Sequence, residues 1–131
     1  MRSLATGIAA SLLAAAAPVA PAADLPALAR LETGYWTLTP RDGATAARKL
    51  CVADPRNLIQ IEHRGMNCSR FVIASDPKEA TVHYTCPGQG HGRTVIRVES
   101  PRLAQIETQG IVSGAPFSDN FEARWTGNCP A

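Results

Sequence analysis

Several features that would assign this 131-residue chain to a familiar class of protein are missing from its sequence. Beyond the first residues, no apolar run approaches the roughly 20 residues that a membrane-spanning helix requires. Neither sign of charge dominates, because 13 Lys and Arg residues are balanced by 11 Asp and Glu residues. The two signs are also mixed along the chain, so the basic stripe of a nucleic-acid-binding protein is absent. We therefore expect no nucleic-acid partner and no membrane span in the mature chain.

Motifs of the common enzyme classes are missing as well. There is no Gly-x-Ser-x-Gly nucleophile elbow and no Cys-x-x-Cys pair for redox exchange. The glycine-rich segment 88–92 lies between two predicted strands and does not lead into a helix that could hold phosphate. We predict a protein that is not an enzyme and that uses no cofactor and no metal.

The first 22 residues have the layout of a secretory signal peptide. Arg2 supplies a positive charge, an apolar segment follows over residues 4–17, and small residues precede a cleavage site after Ala22. A membrane anchor is the alternative, but about 14 apolar residues are too few to cross a bilayer. We predict export to the periplasm, with the extracellular space as the alternative destination. Residues 23–33 would then form a lead-in and residues 34–131 a single domain.

The mature chain contains short β-rich segments separated by turn residues. Aromatic and β-branched residues alternate over residues 34–39, as expected for a strand. Asp54 followed by Pro55 predicts a short helix that ends before Gly65, and residues 110–119 are predicted to form a loop. The fold class predicted is mostly β: one small antiparallel meander of about seven strands, curled into a half-barrel or small sandwich, with one short helix. The predicted strands lie at 34–39, 49–52, 69–74, 80–85 and 120–126, with two more forming a hairpin that turns at 100–102.

The turns of two hairpins define their registers. Residues 75–79 contain Asp-Pro, which suits a type I turn. If Ala74 lies opposite Ala80, Val72 lies opposite Val82. The second hairpin, with its turn at 100–102, gives one apolar face and one mostly polar face. Its predicted pairs are Ile96 with Ile106, Val98 with Ala104, Arg97 with Gln105 and Val95 with Glu107.

Four cysteines in an exported chain of this size predict two disulfides, and four cysteines allow three pairings. The first hairpin register places Cys68 opposite Cys86. Cross-strand partners have Cα atoms about 4.5–5.5 Å apart, which falls within the disulfide range. We therefore predict a Cys68–Cys86 disulfide, which leaves Cys51 to pair with Cys129.

A metal site is the alternative use of these residues, because His83 and His91 flank Cys86. Thiolate ligands would require reducing conditions or prior metal occupancy, whereas export leads to an oxidising compartment. We expect a strand position opposite Phe71 for His83 and a surface position for His63. The predicted core consists of Trp36, Leu38, Ile96, Val98, Ile106, Phe121 and Trp125.

Two functions remain open on the residues alone. Trp36 and Trp125 near the two ends of a curled sheet could enclose a pocket, or they could simply fill the core. We predict a binding module for a small apolar or envelope-derived ligand. The alternative is a protein-interaction module, such as an inhibitor or accessory factor of an envelope enzyme. It would present either the predicted loop 110–119, with Ile111, Val112 and Phe117, or an edge of the sheet. In either case we expect a monomer.

The order of these motifs resembles a family of exported bacterial domains called domain of unknown function 3617. Residues 34–39 are similar to its opening "GLWEVT" strand, and residues 49–55 to its first cysteine with the acidic, proline-containing turn that follows. The closing residues 124–129 resemble a strand that ends in "GDC". Tyr35 replaces the usual leucine, Asn128 replaces the usual aspartate, and the family's methionine-rich stretches are missing. The resemblance implies an envelope location and the same disulfide pattern, and it implies no activity.

Overall fold

The computed structural model describes Ala15 and residues 25–130. The predicted signal peptide, residues 1–22, lies outside the described residues apart from Ala15, as do the first two residues of the lead-in. Among the described residues no helix is both long enough and apolar enough to cross a membrane. The elements are α1 (Pro26–Ala29), β1 (Gly34–Pro40), β2 (Arg48–Val52), a 3₁₀ helix (Pro55–His63), β3 (Ser69–Ser75), β4 (Glu79–Cys86), β5 (Gly90–Ser100), β6 (Leu103–Val112) and β7 (Ala115–Gly127).

The seven strands form one open antiparallel sheet, which confirms the predicted fold class. Their order is β2-β1-β7-β6-β5-β4-β3, so β2 and β3 are the two edges. Strands β3 to β7 follow one another as a meander, and β1 then pairs with β7. The connection from β2 to β3 must cross from one edge to the other, and it contains the 3₁₀ helix.

The predicted register of the first hairpin is confirmed at its open end and is wrong by one residue near its turn. Val72 lies opposite Val82, but a β-bulge follows, so Ala74 faces Thr81 instead of Ala80. The Asp76 carboxylate accepts hydrogen bonds from the backbone N–H groups of Lys78 (2.7 Å) and Glu79 (2.9 Å). This tight turn leaves only residues 76–78 between the strands, and the bulge absorbs the extra residue. All four predicted pairs of the second hairpin are confirmed.

The predicted loop at 110–119 is wrong, because β6 and β7 continue through it. Only Ser113 (φ 48°) and Gly114 (φ 81°) connect these strands. Two successive positive φ angles are typical of a type I′ hairpin turn. Pro116 is tolerated inside β7 because β1 pairs with β7 only from Phe121 onward, so Pro116 has a neighbouring strand on one side alone.

The core lies between one face of the sheet and the two helical segments. Six of the seven predicted core residues are buried, whereas Trp125 is only half-buried. The lead-in contributes Leu28 from α1, and the 3₁₀ helix contributes Leu58 and Ile59. The two helical segments therefore cover the concave face of an otherwise one-layered sheet, as a half-barrel requires.

Candidate functional site

The two predicted disulfides are confirmed, and each one holds an edge strand. Cys51 in β2 is bonded to Cys129, which follows β7, with a Cα–Cα distance of 5.7 Å. Cys68, directly before β3, is bonded to Cys86 at the end of β4, with a Cα–Cα distance of 4.3 Å. Because β2 and β3 have only one neighbouring strand each, the disulfides stabilise the parts of the sheet that backbone hydrogen bonds hold least.

Both tryptophans hold the lead-in against the sheet. They lie next to each other in β1 and β7 and not at two ends of a pocket. The Trp36 side chain is 0% exposed and donates a hydrogen bond to the Glu32 carbonyl at 2.9 Å. Trp125 donates to the Thr33 carbonyl at 2.9 Å, and the Arg102 guanidinium covers its ring at 4.2 Å. Their geometry therefore favours the core interpretation of the tryptophans.

The apolar residues of the predicted loop are less exposed than the sequence indicated. Ile111, Val112 and Phe117 are half-buried in the β6–β7 hairpin. Over residues 25–130, the large apolar residues that are exposed lie instead on the edge strand β3, where Phe71 is 70% exposed and Ile73 is 48% exposed. Sequence patterning could not identify them, because alternation alone does not reveal which strand is an edge.

His63 was predicted at the surface, and this prediction is wrong because its side chain is 0% exposed. It is the last residue of the 3₁₀ helix, whose packing on the sheet places the imidazole inside. Its Nε2 lies 3.1 Å from the Gln89 carbonyl and its Nδ1 lies 2.9 Å from the Tyr84 hydroxyl. Since a carbonyl can only accept, the hydrogen-bond network assigns the ring proton to Nε2 and leaves Nδ1 to accept from Tyr84.

Tyr84 is held in place for this contact by its other neighbours. Burial, with a smaller contribution from the negative charge of Glu62, raises the pKa of Tyr84 to about 12, so the hydroxyl keeps its proton. Gly92 faces the ring from β5, and a Cβ atom there would lie 2.5 Å from the Tyr84 hydroxyl. The His63–Tyr84 pair therefore attaches the 3₁₀ helix to β4, the strand beside the edge strand β3.

A second buried polar contact holds the same helix. The Thr94 hydroxyl donates to the Ile59 carbonyl at 2.6 Å and lies 2.7 Å from the Thr108 hydroxyl. Because Thr94 uses its only hydrogen for the carbonyl, Thr108 is the donor between the two hydroxyls. The Thr108 side chain also interacts with Tyr84, so the two attachments of the 3₁₀ helix belong to one buried polar cluster on the concave face.

The residues of the alternative metal site do not converge. His83 lies opposite Phe71, as predicted, and its ring is 5.7 Å from that of His91 between centroids. Cys86 is bonded to Cys68, so its sulfur is not available as a thiolate ligand. In the described part of the chain no group of three or more His, Cys, Asp or Glu residues is arranged to hold a metal ion.

A cleft of about 500 Å³ lies where the sheet fails to close, and we call it the edge cleft. Residues of both edge strands line it, β2 on one side and Arg70 of β3 on the other, with the 3₁₀ helix and the turn after it between them. The sheet is therefore curled enough to bring its two edges to one cleft. The lining residues are Leu50, Cys51, Val52, Asn57, Leu58, Gln60, Arg64, Gly65, Met66 and Arg70.

A buried amide holds the charged wall of the edge cleft. Gln60 is only 5% exposed, and its amide nitrogen donates to the carbonyls of His63 and Met66, each at 2.9 Å. Its Oε1 accepts a hydrogen bond from the Arg70 guanidinium at 2.9 Å. Burial, followed by repulsion from Arg56, lowers the pKa of Arg70. An arginine nevertheless stays protonated at neutral pH, so the cleft wall carries a fixed positive charge.

A second cleft, of about 410 Å³, lies beside α1 and the start of the 3₁₀ helix. Its charged residues, Asp54 and Arg56, bind each other with an N–O distance of 2.7 Å. That pairing satisfies both charges internally. The edge cleft differs because neither of its arginines belongs to an ion pair formed within the described part of the chain.

A third polar region surrounds Asp119, on the core-facing side of β7. Burial, with the negative charge of Glu62 as the second cause, raises the pKa of this carboxyl. Glu62 itself is paired with Arg48 at 2.6 Å. The positive charge of Arg48 therefore partly offsets the negative charges of Glu62 and Asp119.

Comparisons of this chain with protein-family models, with curated proteins and with solved structures found no match.

Proposed function

We propose that the mature chain is a non-enzymatic binding domain of the bacterial envelope that holds a small, largely apolar ligand in the edge cleft. The observation that carries this proposal is the cleft itself, about 500 Å³ in volume and walled by both edges of the sheet. Pockets for small molecules typically measure about 300–1,000 Å³, and the mouths of β-barrels are a common place for them.

The lining of the edge cleft supports binding and not catalysis. The apolar lining residues are the buried Leu50, Val52 and Leu58 and the half-buried Met66, while the polar groups are amides and guanidinium groups. Its only cysteine, Cys51, is in a disulfide, and the lining residues include no carboxylate, imidazole or hydroxyl that could act as a general base or nucleophile.

The disulfides support the same proposal, because one fixes each wall of the cleft. Preformed walls reduce the entropy that is lost when a ligand binds. An oxidising compartment is where such bonds persist, so the periplasm is the location we propose. Membership in the family called domain of unknown function 3617 is part of this proposal and rests on the sequence motifs alone.

Blocking the cleft tests the proposal. We would measure the fluorescence enhancement of the apolar probe 1-N-phenylnaphthylamine with the wild-type protein and with the variant Met66→Trp, which places a large ring in the cleft. Thr39→Trp, on the exposed outer face of β1, is the matched control. We expect at least tenfold weaker probe binding for Met66→Trp and unchanged binding for Thr39→Trp. Equal binding by all three proteins would contradict ligand binding at this site.

The exposed edge strand favours a second candidate function. Strand β3 is an edge of the sheet, with a neighbouring strand on one side only, and it carries Phe71 and Ile73 at the surface. An extended segment of an envelope enzyme could add to this edge as an eighth strand, in which case the domain would act as an inhibitor or accessory factor.

Site-specific photocrosslinking in the periplasm separates the two candidates. A photoreactive residue at Phe71 is expected to give a discrete adduct with one partner if β3 is an interaction surface. The same residue at Lys49, on the opposite edge strand, is the control. Equal labelling patterns from both positions would remove the support for a partner at β3.

A further inference from the structure

We propose that the ligand of the edge cleft is an anionic amphiphile, whose carboxylate or phosphate headgroup is bound by Arg70 and Arg64 and whose unbranched apolar chain lies along β2 and the 3₁₀ helix. This inference rests on the proposed function, since it requires that the edge cleft holds a ligand. It adds the sign of the ligand's charge and the residues that recognise it.

The first argument is the charge imbalance at the cleft. Two arginines line it and no carboxylate does. None of the ion pairs formed among the described residues involves Arg64 or Arg70. The neighbouring Asp54 is already bound by Arg56 through hydrogen bonds of 2.7, 3.0 and 3.1 Å. The negative charge of Asp54 acts on Arg70 as well, but less than the repulsion from Arg56 does. Among the described residues, the positive charge of Arg64 and Arg70 is therefore not neutralised by an ion pair.

The second argument is that Arg70 is held in place by a buried group. Gln60 uses its amide nitrogen to bind backbone carbonyls and its amide oxygen to bind Arg70. A guanidinium has five N–H donors, and this contact occupies only one of them. The remaining donors form a fork that matches a carboxylate or a phosphate. Because the side chain is already oriented, an anion would bind with little further ordering of the protein.

The third argument is the apolar surface beside the charge. Leu50, Val52 and Leu58 are buried, and Met66 is half-buried at the same cleft. The three buried residues form the floor of the cleft, and Met66 is the apolar lining residue that still exposes surface. An apolar chain that covers Met66 gains roughly 25 cal/mol for each Å² removed from water. A methionine adapts well to an unbranched chain, because its side chain is flexible and polarizable. A purely ionic ligand would leave the exposed part of Met66 in water.

Four 12-carbon amphiphiles test the inference: dodecanoate, dodecyl phosphate, neutral dodecyl maltoside and cationic dodecyltrimethylammonium. Each would compete with 1-N-phenylnaphthylamine for the wild-type protein, below its micelle concentration and at fixed ionic strength. We expect the two anions to bind at least tenfold more tightly than the neutral and cationic compounds. A preference between the two anions would distinguish a fatty acid from a phosphate-bearing lipid as the natural source.

Variants identify the residues responsible. Arg70→Gln is expected to weaken the binding of both anions at least tenfold and to leave the binding of the neutral compound unchanged. Arg70→Lys should keep only part of the wild-type affinity for the anions, because lysine lacks the forked donors of arginine. Arg97→Gln, an exposed arginine on the outer face of β5, is the matched control and should bind like the wild type.

The outcomes separate the two proposals. If none of the four compounds displaces the probe, the proposed function itself fails. If all four bind equally, or if the cation binds best, the cleft binds apolar ligands but the charge assignment is overturned. The assignment is also overturned if the anions are preferred but Arg70→Gln leaves that preference unchanged.

Discussion

Replacing His63 with alanine is expected to lower the free energy of unfolding by about 3–5 kcal/mol. The imidazole is 0% exposed and bonds to both the Tyr84 hydroxyl and the Gln89 carbonyl. Two lost hydrogen bonds account for about 2 kcal/mol, since each contributes about 1 kcal/mol net. The cavity left by the ring adds roughly 1–3 kcal/mol, depending on how far the Phe117 ring, 5.9 Å away between centroids, relaxes into it.

The variant Tyr84→Phe isolates one of these contacts, because it removes the hydroxyl and keeps the ring. It leaves His63 Nδ1 without a donor in a buried position, which typically costs about 1–3 kcal/mol. In the double variant that nitrogen is gone as well. The combined loss is therefore expected to be smaller than the sum of the single losses, with a coupling of about 1–2 kcal/mol.

Urea unfolding at pH 7 with both disulfides intact, followed by tryptophan fluorescence, measures these values. His91→Ala is the control, because His91 is exposed and its loss should change the stability by less than about 0.5 kcal/mol. If His63→Ala costs less than about 1 kcal/mol, or if the effects of His63 and Tyr84 are additive, the proposed role of the pair is wrong.

Three further predictions concern the sheet and its pH dependence. Gly92→Ala should lower the free energy of unfolding in urea by about 1–3 kcal/mol, because the new Cβ would lie 2.5 Å from the Tyr84 hydroxyl. A variant as stable as the wild type would show that the Tyr84 ring can move away. Removing the disulfide Cys51–Cys129, which spans 78 residues, should lower the free energy of unfolding by about 4.5 kcal/mol. Removing Cys68–Cys86, which spans 18 residues, should lower it by about 3 kcal/mol. A larger loss for Cys68–Cys86 would contradict the loop-entropy argument. Asp119 has a raised pKa, so its ionisation weakens the folded state as pH rises from the ordinary value of 3.8 through the folded pKa. Asp119→Asn should therefore raise the urea midpoint at pH 7 and leave it unchanged at pH 3, and a gain at pH 3 alone would refute this.

The features that the sequence predicted correctly depend on neighbours along the chain. The alternation of apolar residues in the second hairpin, together with its short turn at 100–102, was enough to pair Ile96 with Ile106. In the first hairpin the predicted register is wrong by one residue at Ala74, and Cys68 faces Cys86 because the β-bulge after Val72 restores the predicted pairing. Local turn chemistry therefore determines the register of the second hairpin, whereas the register of the first depends on its bulge as well.

The features that the sequence did not predict depend on distant parts of the chain. His63 is buried because the whole 3₁₀ helix packs on the concave face through Leu58 and Ile59, and periodicity over one short helix does not indicate which residues will be covered. The β6–β7 hairpin is hard to predict because Gly114 and Pro116 are typical of a loop, and because Ser113 occupies a positive-φ position where Asn, Asp or Gly is usual. The edge cleft was missed because it forms only when the curl of the sheet brings β2 close to Arg70.

The open edges of the sheet connect its stability with its proposed function. A closed barrel would pair β2 with β3 and leave no exposed edge. In this chain, residues 57–66 lie between the two edges, and each edge depends on a disulfide for part of the stability that a second neighbouring strand would supply. Gln60 belongs to this connection, where it binds backbone carbonyls on one side and Arg70 on the other. The β2–β3 connection therefore keeps the sheet from closing and also positions Arg70 at the edge cleft. A change that brought the two edge strands closer together should raise the stability of the sheet and reduce ligand binding in the cleft.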